Sequence, residues 1–93
     1  GYDAIDRENK RVQIKTRRSE TEGLPRDVGT VSSFSNHAFD YAILVILDRE
    51  YRIAEIWRAD YDKLLPLIHK RKRRDPNISS FKKAGKRIYP NQP

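Results

Sequence analysis

The alternation of apolar and polar positions at the start of the chain predicts a β-hairpin. Residues 2–6 and 10–18 have the pattern of two strands, and the polar residues 6–10 have the composition of a turn. Residues 19–30, with their Ser, Thr, Gly, Pro and Asp, predict a loop. Residues 30–36 fit either a short helix or a turn across the sheet.

The clearest apolar run, within residues 40–48, predicts a buried strand. Residues 42–47 are all apolar, which is typical of a strand that is covered on both faces. The polar residues 48–50 then predict a turn. Residues 51–58 alternate in character and predict a partner strand near the edge of the sheet.

A helix is predicted from Asp60 to about residue 72, with Asp60 as its N-cap. Pro66 lies inside this pattern and indicates either a kink or a later start of the helix. Residues 78–89 fit either a short strand or an extended basic arm. The elements together predict one α/β domain over residues 1–93, a mixed β-sheet with flanking helices. The apolar positions that would bury one face of the helix are Tyr61, Leu64, Leu65 and Ile68.

The predicted hairpin brings an acid beside a polar strand face. Because side chains alternate along a strand, Gln13 and Lys15 are expected on one face, while Val12 and Ile14 point into a core. Folding of the hairpin brings Asp3 beside Gln13 and Lys15. Oxygen ligands hold a hard divalent cation, and a lysine activates water and stabilises charge on a phosphate. These residue types indicate metal-assisted phosphodiester hydrolysis.

Asp3 and Gln13-Ile14-Lys15 resemble the active-site hairpin of the PD-(D/E)xK nuclease superfamily. They are most similar to branches in which glutamine replaces the second acid, such as Mrr-like restriction enzymes and virus-type replication-repair nucleases. Residues 39–48 are similar to a later core strand of that family. The resemblance implies a restriction-endonuclease-like fold and a DNA endonuclease, a hydrolase that requires Mg²⁺ or Mn²⁺.

The resemblance also implies a role for each residue of the hairpin. Asp3 would be the metal carboxylate, Gln13 a weaker ligand through its side-chain oxygen, and Lys15 the catalytic lysine. The Ile14 carbonyl would add a further metal ligand. Asp6 is the alternative acid if Asp3 serves as a turn or cap residue. A charged hairpin on a basic protein, without a site, is the other interpretation of the same residues.

Two features depart from the family pattern. Gln13 stands where an acid is commoner, which weakens metal binding. Family members also carry an N-terminal helix ahead of the first acid, and here nothing precedes Gly1. Because the chain contains no methionine, we expect an upstream segment, which would hold part of the site.

The net charge of +7 favours a polyanionic partner, and nucleic acid, DNA in particular, is the partner expected. Arg17, on the face of Lys15, would contact scissile-strand phosphates, and a solvated strand end is the alternative. Two basic runs in the C-terminal half, residues 69–74 and 82–87, would bind the phosphate backbone of DNA with release of counterions. The alternative for the first run is a solvated helix end whose cations match the helix dipole. The candidate phosphate contacts in these runs are Lys70, Arg71, Arg73, Arg74, Lys82, Lys83 and Lys86.

The composition limits the setting of the protein. The absence of cysteine excludes disulfides and thiolate metal sites and fits a reducing cytoplasm. The longest apolar run, residues 41–47, is too short to cross a membrane. Two rival functions stay open: a catalytically inactive nucleic-acid-binding module of the same fold, and a basic protein-interaction domain. A homodimer or a larger parent chain is expected from the resemblance.

Overall fold

The computed structural model describes residues 3–18, 39–70 and 78–91, and the side chains of residues 68–70 lie outside that description. The described residues form a mixed five-stranded β-sheet with two α-helices, which is an α/β fold. The strands lie side by side in their order along the chain. The elements are β1 (Ala4–Ile5), β2 (Arg11–Arg18), β3 (Tyr41–Leu47), β4 (Ile53–Asp60), α1 (Tyr61–Lys70), α2 (Ile78–Ala84) and β5 (Lys86–Tyr89).

Strand pairing is parallel between β2 and β3 and antiparallel between the other neighbours. Gln13 lies beside Ala42, and Ala42 lies beside Ala59, so these residues form one row across three strands. Lys15 lies beside Leu44 in the same way. Because paired residues in adjacent strands point to the same face, this register fixes which side chains share a surface.

The hydrophobic core lies between one face of the sheet and the two helices. Ala42, Leu44 and Ile46 alternate along β3 and are fully buried. Leu64 of α1 and Phe81 of α2 pack in the same cluster. Truncation of the fully buried Phe81 to alanine would destabilise the fold by about 3–5 kcal/mol.

The connection from α2 to β5 passes very close to β4. A Cβ atom added to Gly85 would collide with the carbonyl oxygen of Arg58. Glycine is therefore required at the point where α2 gives way to β5. Lys86 follows directly and pairs with Arg58 across the strands, so this close approach sets the position of Lys86.

Aspartates head two tight turns at opposite ends of the sheet. Asp6 and Asp48 each accept, through Oδ1, the backbone N–H groups of the residues two and four positions later. A residue with positive φ completes each turn, Asn9 at 64° and Tyr51 at 65°. Aspartate favours such turns because its side chain replaces a backbone hydrogen bond. The turn predictions for both segments are confirmed.

The strands predicted before residue 60 all form, with some changes in their bounds. The hairpin forms, with β1 covering only part of the predicted residues 2–6. β3 occupies the predicted apolar run. β4 begins at Ile53 rather than at residue 51, because the positive φ of Tyr51 keeps that residue in the turn.

The helix predictions need two corrections. α1 begins at Tyr61, directly after β4, and runs through Pro66, so the later start is wrong. Residues 78–84 form a helix and neither a strand nor an extended arm. The reason is that Ile78 and Phe81, three positions apart, lie on one helix face and are both buried in the core.

The remaining predictions divide between the described residues and those outside them. Residues 86–89 confirm the short strand that was expected within 78–89. The loop predicted for residues 19–30 and the helix or turn predicted for 30–36 lie outside the described residues. No helix in the described part of the chain is long and apolar enough to cross a membrane.

The prediction that Val12 and Ile14 both point into a core is wrong for Ile14. Val12 is 5% exposed, but Ile14 is 43% exposed. Both lie on the sheet face opposite α1 and α2, because the register puts Gln13 on the face of Ala42. For the same reason β3 is fully buried only on the face that the helices cover. On its other face three residues are half-buried, namely Ile43, Val45 and Leu47.

Candidate active site

The N-terminal hairpin holds Asp3 against the strand that carries the predicted site. The Asp3 N–H donates to the Val12 carbonyl at 2.8 Å. Its carboxylate oxygen Oδ2 accepts the Ile14 N–H, also at 2.8 Å. Ala4 also pairs with Val12, so Asp3 and Ala4 both contact this part of β2. The acid and the Gln13-Ile14-Lys15 segment are therefore neighbours, as predicted.

Gln13 and Lys15 lie on one face of β2, which confirms that part of the prediction. Their partners on β3 are Ala42 and Leu44, both fully buried. Gln13 is only 6% exposed, and its Oε1 atom is itself buried. Lys15 is half-buried. The glutamine is thus enclosed at the margin of the core, while the lysine lies nearer the solvent.

The Ile14 main chain also faces the acid. Within an antiparallel ladder the N–H and C=O groups of one residue point toward the same neighbouring strand. Since the Ile14 N–H points to Asp3, the Ile14 carbonyl points to the same side of β2. This oxygen therefore faces the same side of β2 as the Asp3 carboxylate.

Both carboxylate oxygens of Asp6, the alternative acid, accept hydrogen bonds from the turn and from β3. Its Oδ1 accepts the Glu8 and Lys10 N–H groups, and its Oδ2 accepts the Tyr41 hydroxyl at 2.7 Å. The Lys10 N–H, followed by the Tyr41 hydroxyl, lowers the pKa of Asp6. Burial, and then the bond to Asp6, raises the pKa of Tyr41. Asp6 therefore serves as a structural carboxylate that links the hairpin turn to β3.

A second carboxylate ties the starts of the two parallel strands together. Asp40 Oδ2 accepts the Arg11 N–H at 2.7 Å and the Arg11 guanidinium at 3.5 Å. The Arg11 N–H, and after it the guanidinium, lowers the pKa of Asp40. The Tyr61 N–H also donates to the Asp40 carbonyl at 3.0 Å. These bonds set the end of the sheet at which Asp3 and Gln13 lie.

The two arginines that follow Lys15 point to opposite faces, as alternation predicts. Arg17 shares the face of Lys15, and its Nη1 donates to the Thr16 carbonyl at 2.9 Å. Arg18 donates to the Arg49 carbonyl at 2.6 Å. Its guanidinium lies 4.1 Å from the centre of the Tyr51 ring. Arg18 thus stabilises the β3–β4 turn, whereas Arg17 is half-buried on the sheet face of Lys15.

Of the predicted phosphate contacts in the C-terminal half, Lys82 lies in an ion pair. Its Nζ is 3.0 Å from Glu55 Oε1 and 5.3 Å from the centre of the Trp57 ring. Burial raises the pKa of Glu55, but the bonds from Trp57 and Lys82 outweigh it, so the net shift is downward. Lys83 and Lys86 are exposed. The side chains of Lys70, Arg71, Arg73 and Arg74 lie outside the described residues.

An open groove lies where the end of β4, the first turn of α1 and the start of β5 meet. Arg58, Asp60, Lys63, Gly85 and Lys86 are among the residues that line it. The sequence interpretation identified Lys86, which follows a basic run, and missed Lys63 and Arg58. The reason is that these two are isolated cations, and only the strand pairing and the helix start bring them beside Lys86.

The oxygen atoms at the hairpin match the ligand chemistry of a hard divalent cation. Asp3 offers a carboxylate, Gln13 an amide oxygen and Ile14 a backbone carbonyl, which are the ligand types that Mg²⁺ and Mn²⁺ accept. Among the described residues no three His, Cys, Asp or Glu side chains group as a metal cluster. Because Asp3 is the one carboxylate of the hairpin set, and the amide and the backbone carbonyl are neutral, the set carries one negative charge.

Comparison with known proteins adds no relative. No protein-family model matches the chain, and no curated protein matches it. The chemistry and geometry of the hairpin therefore carry the functional inference.

Proposed function

We propose that this chain is a metal-dependent endonuclease of the PD-(D/E)xK superfamily, with a restriction-endonuclease-like fold, that hydrolyses phosphodiester bonds in DNA. In this reaction the oxygen of water forms the new bond to phosphorus as the bond from phosphorus to the leaving sugar oxygen breaks. Asp3, Gln13, Ile14 and Lys15 form the site. Surface cations, the half-buried Arg17 and the exposed Lys83 and Lys86 among them, contact the DNA backbone.

The observation that supports this function best is the hydrogen bond from the Ile14 N–H to Asp3 Oδ2, at 2.8 Å. It fixes the carboxylate beside the residue that separates Gln13 from Lys15. A chance arrangement of charges on a hairpin does not require this contact. Asp3 is exposed, so a ligand has access to its carboxylate.

The donor set fits Mg²⁺ or Mn²⁺, with Asp3, the Gln13 amide oxygen and the Ile14 carbonyl as the residues that would hold the ion. When bound, such an ion supplies Lewis-acid stabilisation of the phosphate and a more acidic water. The remaining contributions come from the chain itself. The enclosed position of Gln13, at 6% exposure, keeps its amide in a fixed orientation at the margin of the core.

Lys15 provides the positive charge of the site. It lies two residues after Gln13 on the same strand face, half-buried. From there the ammonium group orients the attacking water and stabilises negative charge that develops on the phosphate. Removal of one such preorganised group typically lowers the rate by about 100- to 1,000-fold.

A second candidate function, a nucleic-acid-binding module that has lost catalysis, is favoured by Gln13. A neutral amide in place of an acid leaves Asp3 as the single carboxylate of the site. The low charge weakens metal binding, because affinity follows the charge and number of the ligands. The two functions differ in one outcome, the metal-dependent breakage of DNA.

A cleavage assay on supercoiled, linear and single-stranded DNA, in Mn²⁺, Mg²⁺ or EDTA, tests the proposal. The matched pair of variants is Lys15→Ala and Lys10→Ala, since Lys10 is an exposed lysine of the neighbouring turn. We expect cleavage that requires the metal, falls at least about 100-fold in Lys15→Ala and persists in Lys10→Ala. Equal cleavage by both variants contradicts the proposed role of Lys15. Binding without cleavage by the parent chain supports the second candidate.

A further inference from the structure

The groove between β4, α1 and β5 lies at the same end of the sheet as the proposed site. Ala59, which lines the groove, belongs to the row of the sheet that contains Gln13 and Ala42. Two interstrand spacings separate Gln13 from Ala59, which is roughly 10 Å. Asp3 lies on the other side of β2, where it bonds to Val12 and Ile14. A ligand strand that crosses this end of the sheet therefore passes both features.

The charge of the groove is predominantly positive. Arg58, Lys63 and Lys86 line it, and Asp60 is the one acid among its lining residues. Asp60 is already engaged, because its Oδ1 lies 3.6 Å from Arg58 Nε. Lys63 and Lys86 are exposed and form no ion pair within the described residues. Two ammonium groups thus remain available to an anionic partner.

The backbone holds these two lysines in place. Lys63 lies in the first turn of α1, which begins directly after β4. Lys86 starts β5 beside Arg58, where the close approach of Gly85 to the Arg58 carbonyl fixes the chain. The lysines belong to two elements that are distant in sequence but converge on the end of β4. A built groove of this kind differs from a run of lysines on a solvated helix.

We infer that Lys63 and Lys86 form a phosphate-binding groove that holds the DNA backbone at the end of the sheet where the proposed hydrolytic site lies. Phosphates along one strand of duplex DNA are about 3.4 Å apart along the axis, so a strand of several nucleotides spans the groove and the end of β2 at which Gln13 lies. Lys86 pairs with Arg58 and lies on the sheet face opposite Lys15, so the DNA strand would pass around the end of the sheet from the groove to the proposed site. This inference rests on the proposed function for its place next to a hydrolytic site, but the binding itself is measured separately.

Titration of a fluorescent 20-base-pair duplex, in EDTA and at several salt concentrations, tests the groove. The variants are Lys63→Ala, Lys86→Ala and the double variant. Arg49→Ala is the control, because Arg49 is an exposed cation in the turn at the opposite end of the sheet. Each phosphate contact contributes about 0.9 to the salt slope, so each loss should weaken binding by up to about eightfold at 0.1 M salt. The double variant should lose up to about 60-fold, and its slope should fall by about 1.8.

The outcomes separate the groove from the nuclease. Loss of affinity in the lysine variants with an unchanged Arg49→Ala supports the groove, whether or not the parent chain cleaves DNA. Cleavage by the parent together with parental affinity in the double variant overturns the groove and leaves the proposed function standing. Equal losses in the lysine variants and in Arg49→Ala also overturn it, because they show diffuse attraction by net charge. Circular dichroism of every variant establishes that it is folded.

Discussion

Asp3 and Asp6 lie in the same hairpin, but the fold uses their carboxylates differently. Asp6 accepts three hydrogen bonds, from two turn N–H groups and the Tyr41 hydroxyl. Among the described residues Asp3 accepts one, from the Ile14 N–H. The Asp6 carboxylate is occupied by hydrogen bonds that hold the hairpin against β3. The Asp3 carboxylate is held by one hydrogen bond and keeps further acceptor positions for a ligand. An acid suited to binding is thus recognised by how few of its acceptor positions the fold occupies.

The largest expected effect is a difference in DNA cleavage rate between variants of Asp3 and of Asp6. Asp3→Asn keeps an oxygen that accepts the Ile14 N–H but removes the charge that a metal needs. We expect it to lower the rate of DNA cleavage at least about 100-fold. Asp6→Asn should retain cleavage within a few-fold of the parent, since its carboxylate faces the turn. Single-turnover rates on a supercoiled plasmid measure both. A greater loss in Asp6→Asn would reverse the assignment.

The next test changes the charge of the second ligand position. Gln13→Glu adds a carboxylate that is buried, which is unfavourable without a counter-charge. We expect the melting temperature in EDTA to fall by roughly 5 °C, a shift typical of about 1 kcal/mol in a domain of this size. Mn²⁺ should restore it, and the Mn²⁺ concentration for half-maximal cleavage should fall about tenfold. Gln13→Met is the control and should gain no metal-dependent stability. A melting temperature of Gln13→Glu that does not change with Mn²⁺ would argue against a metal at this position.

The structural role of Asp6 predicts a dependence of stability on pH. Its hydrogen bonds lower the pKa of Asp6 in the folded state, so the ionised carboxylate stabilises the fold. That contribution is present above the ordinary aspartate value of about 3.9 and is lost as the pH falls through the lower folded-state value. Urea unfolding should show the parent more stable than Asp6→Asn at pH 7, with the difference shrinking toward pH 3. A stability difference that is the same at pH 7 and at pH 3 would contradict this structural role of Asp6.

The smallest effect concerns two adjacent lysines of α2. Lys83 is exposed, whereas Lys82 is bound to Glu55 at 3.0 Å. We expect Lys83→Ala to reduce the salt slope of DNA binding by about 0.9. Lys82→Ala should change the slope less, because its ion pair must first be broken, and should lower the free energy of unfolding by about 1 kcal/mol. Equal slopes for the two variants would show that the ion pair does not restrain Lys82.

The sequence predicted the hairpin and β3 because both depend on local signals. Polar residues indicate the Asp6 turn, and the apolar residues of β3 are favourable only where a sheet buries them. The sequence did not reveal which sheet face the helices cover, so Ile14 was assigned to the core although it is 43% exposed. Burial of a face is a property of long-range packing, which strand periodicity alone does not contain.

The proposed site was accessible from the sequence because its residues lie in one hairpin. The spacing of Asp3 from Gln13 and Lys15 is set by the turn between the strands. The groove was not accessible in this way, since Lys63 and Lys86 are separated by much of the C-terminal half. Their proximity depends on the pairing of β4 with β5 and on the helix that starts after β4. Sites assembled from separate elements require the topology.

The most direct test of the central claim is cleavage of a supercoiled plasmid by the parent chain and by an Asp3→Asn/Lys15→Ala double variant, each with Mn²⁺ and with EDTA. The double variant also controls for a contaminating nuclease, because it is purified in the same way. We predict nicked and linear products from the parent with Mn²⁺ only, and none from the folded double variant. Equal cleavage by the two proteins, or no cleavage by a folded parent that binds the plasmid, would contradict the proposed hydrolytic site.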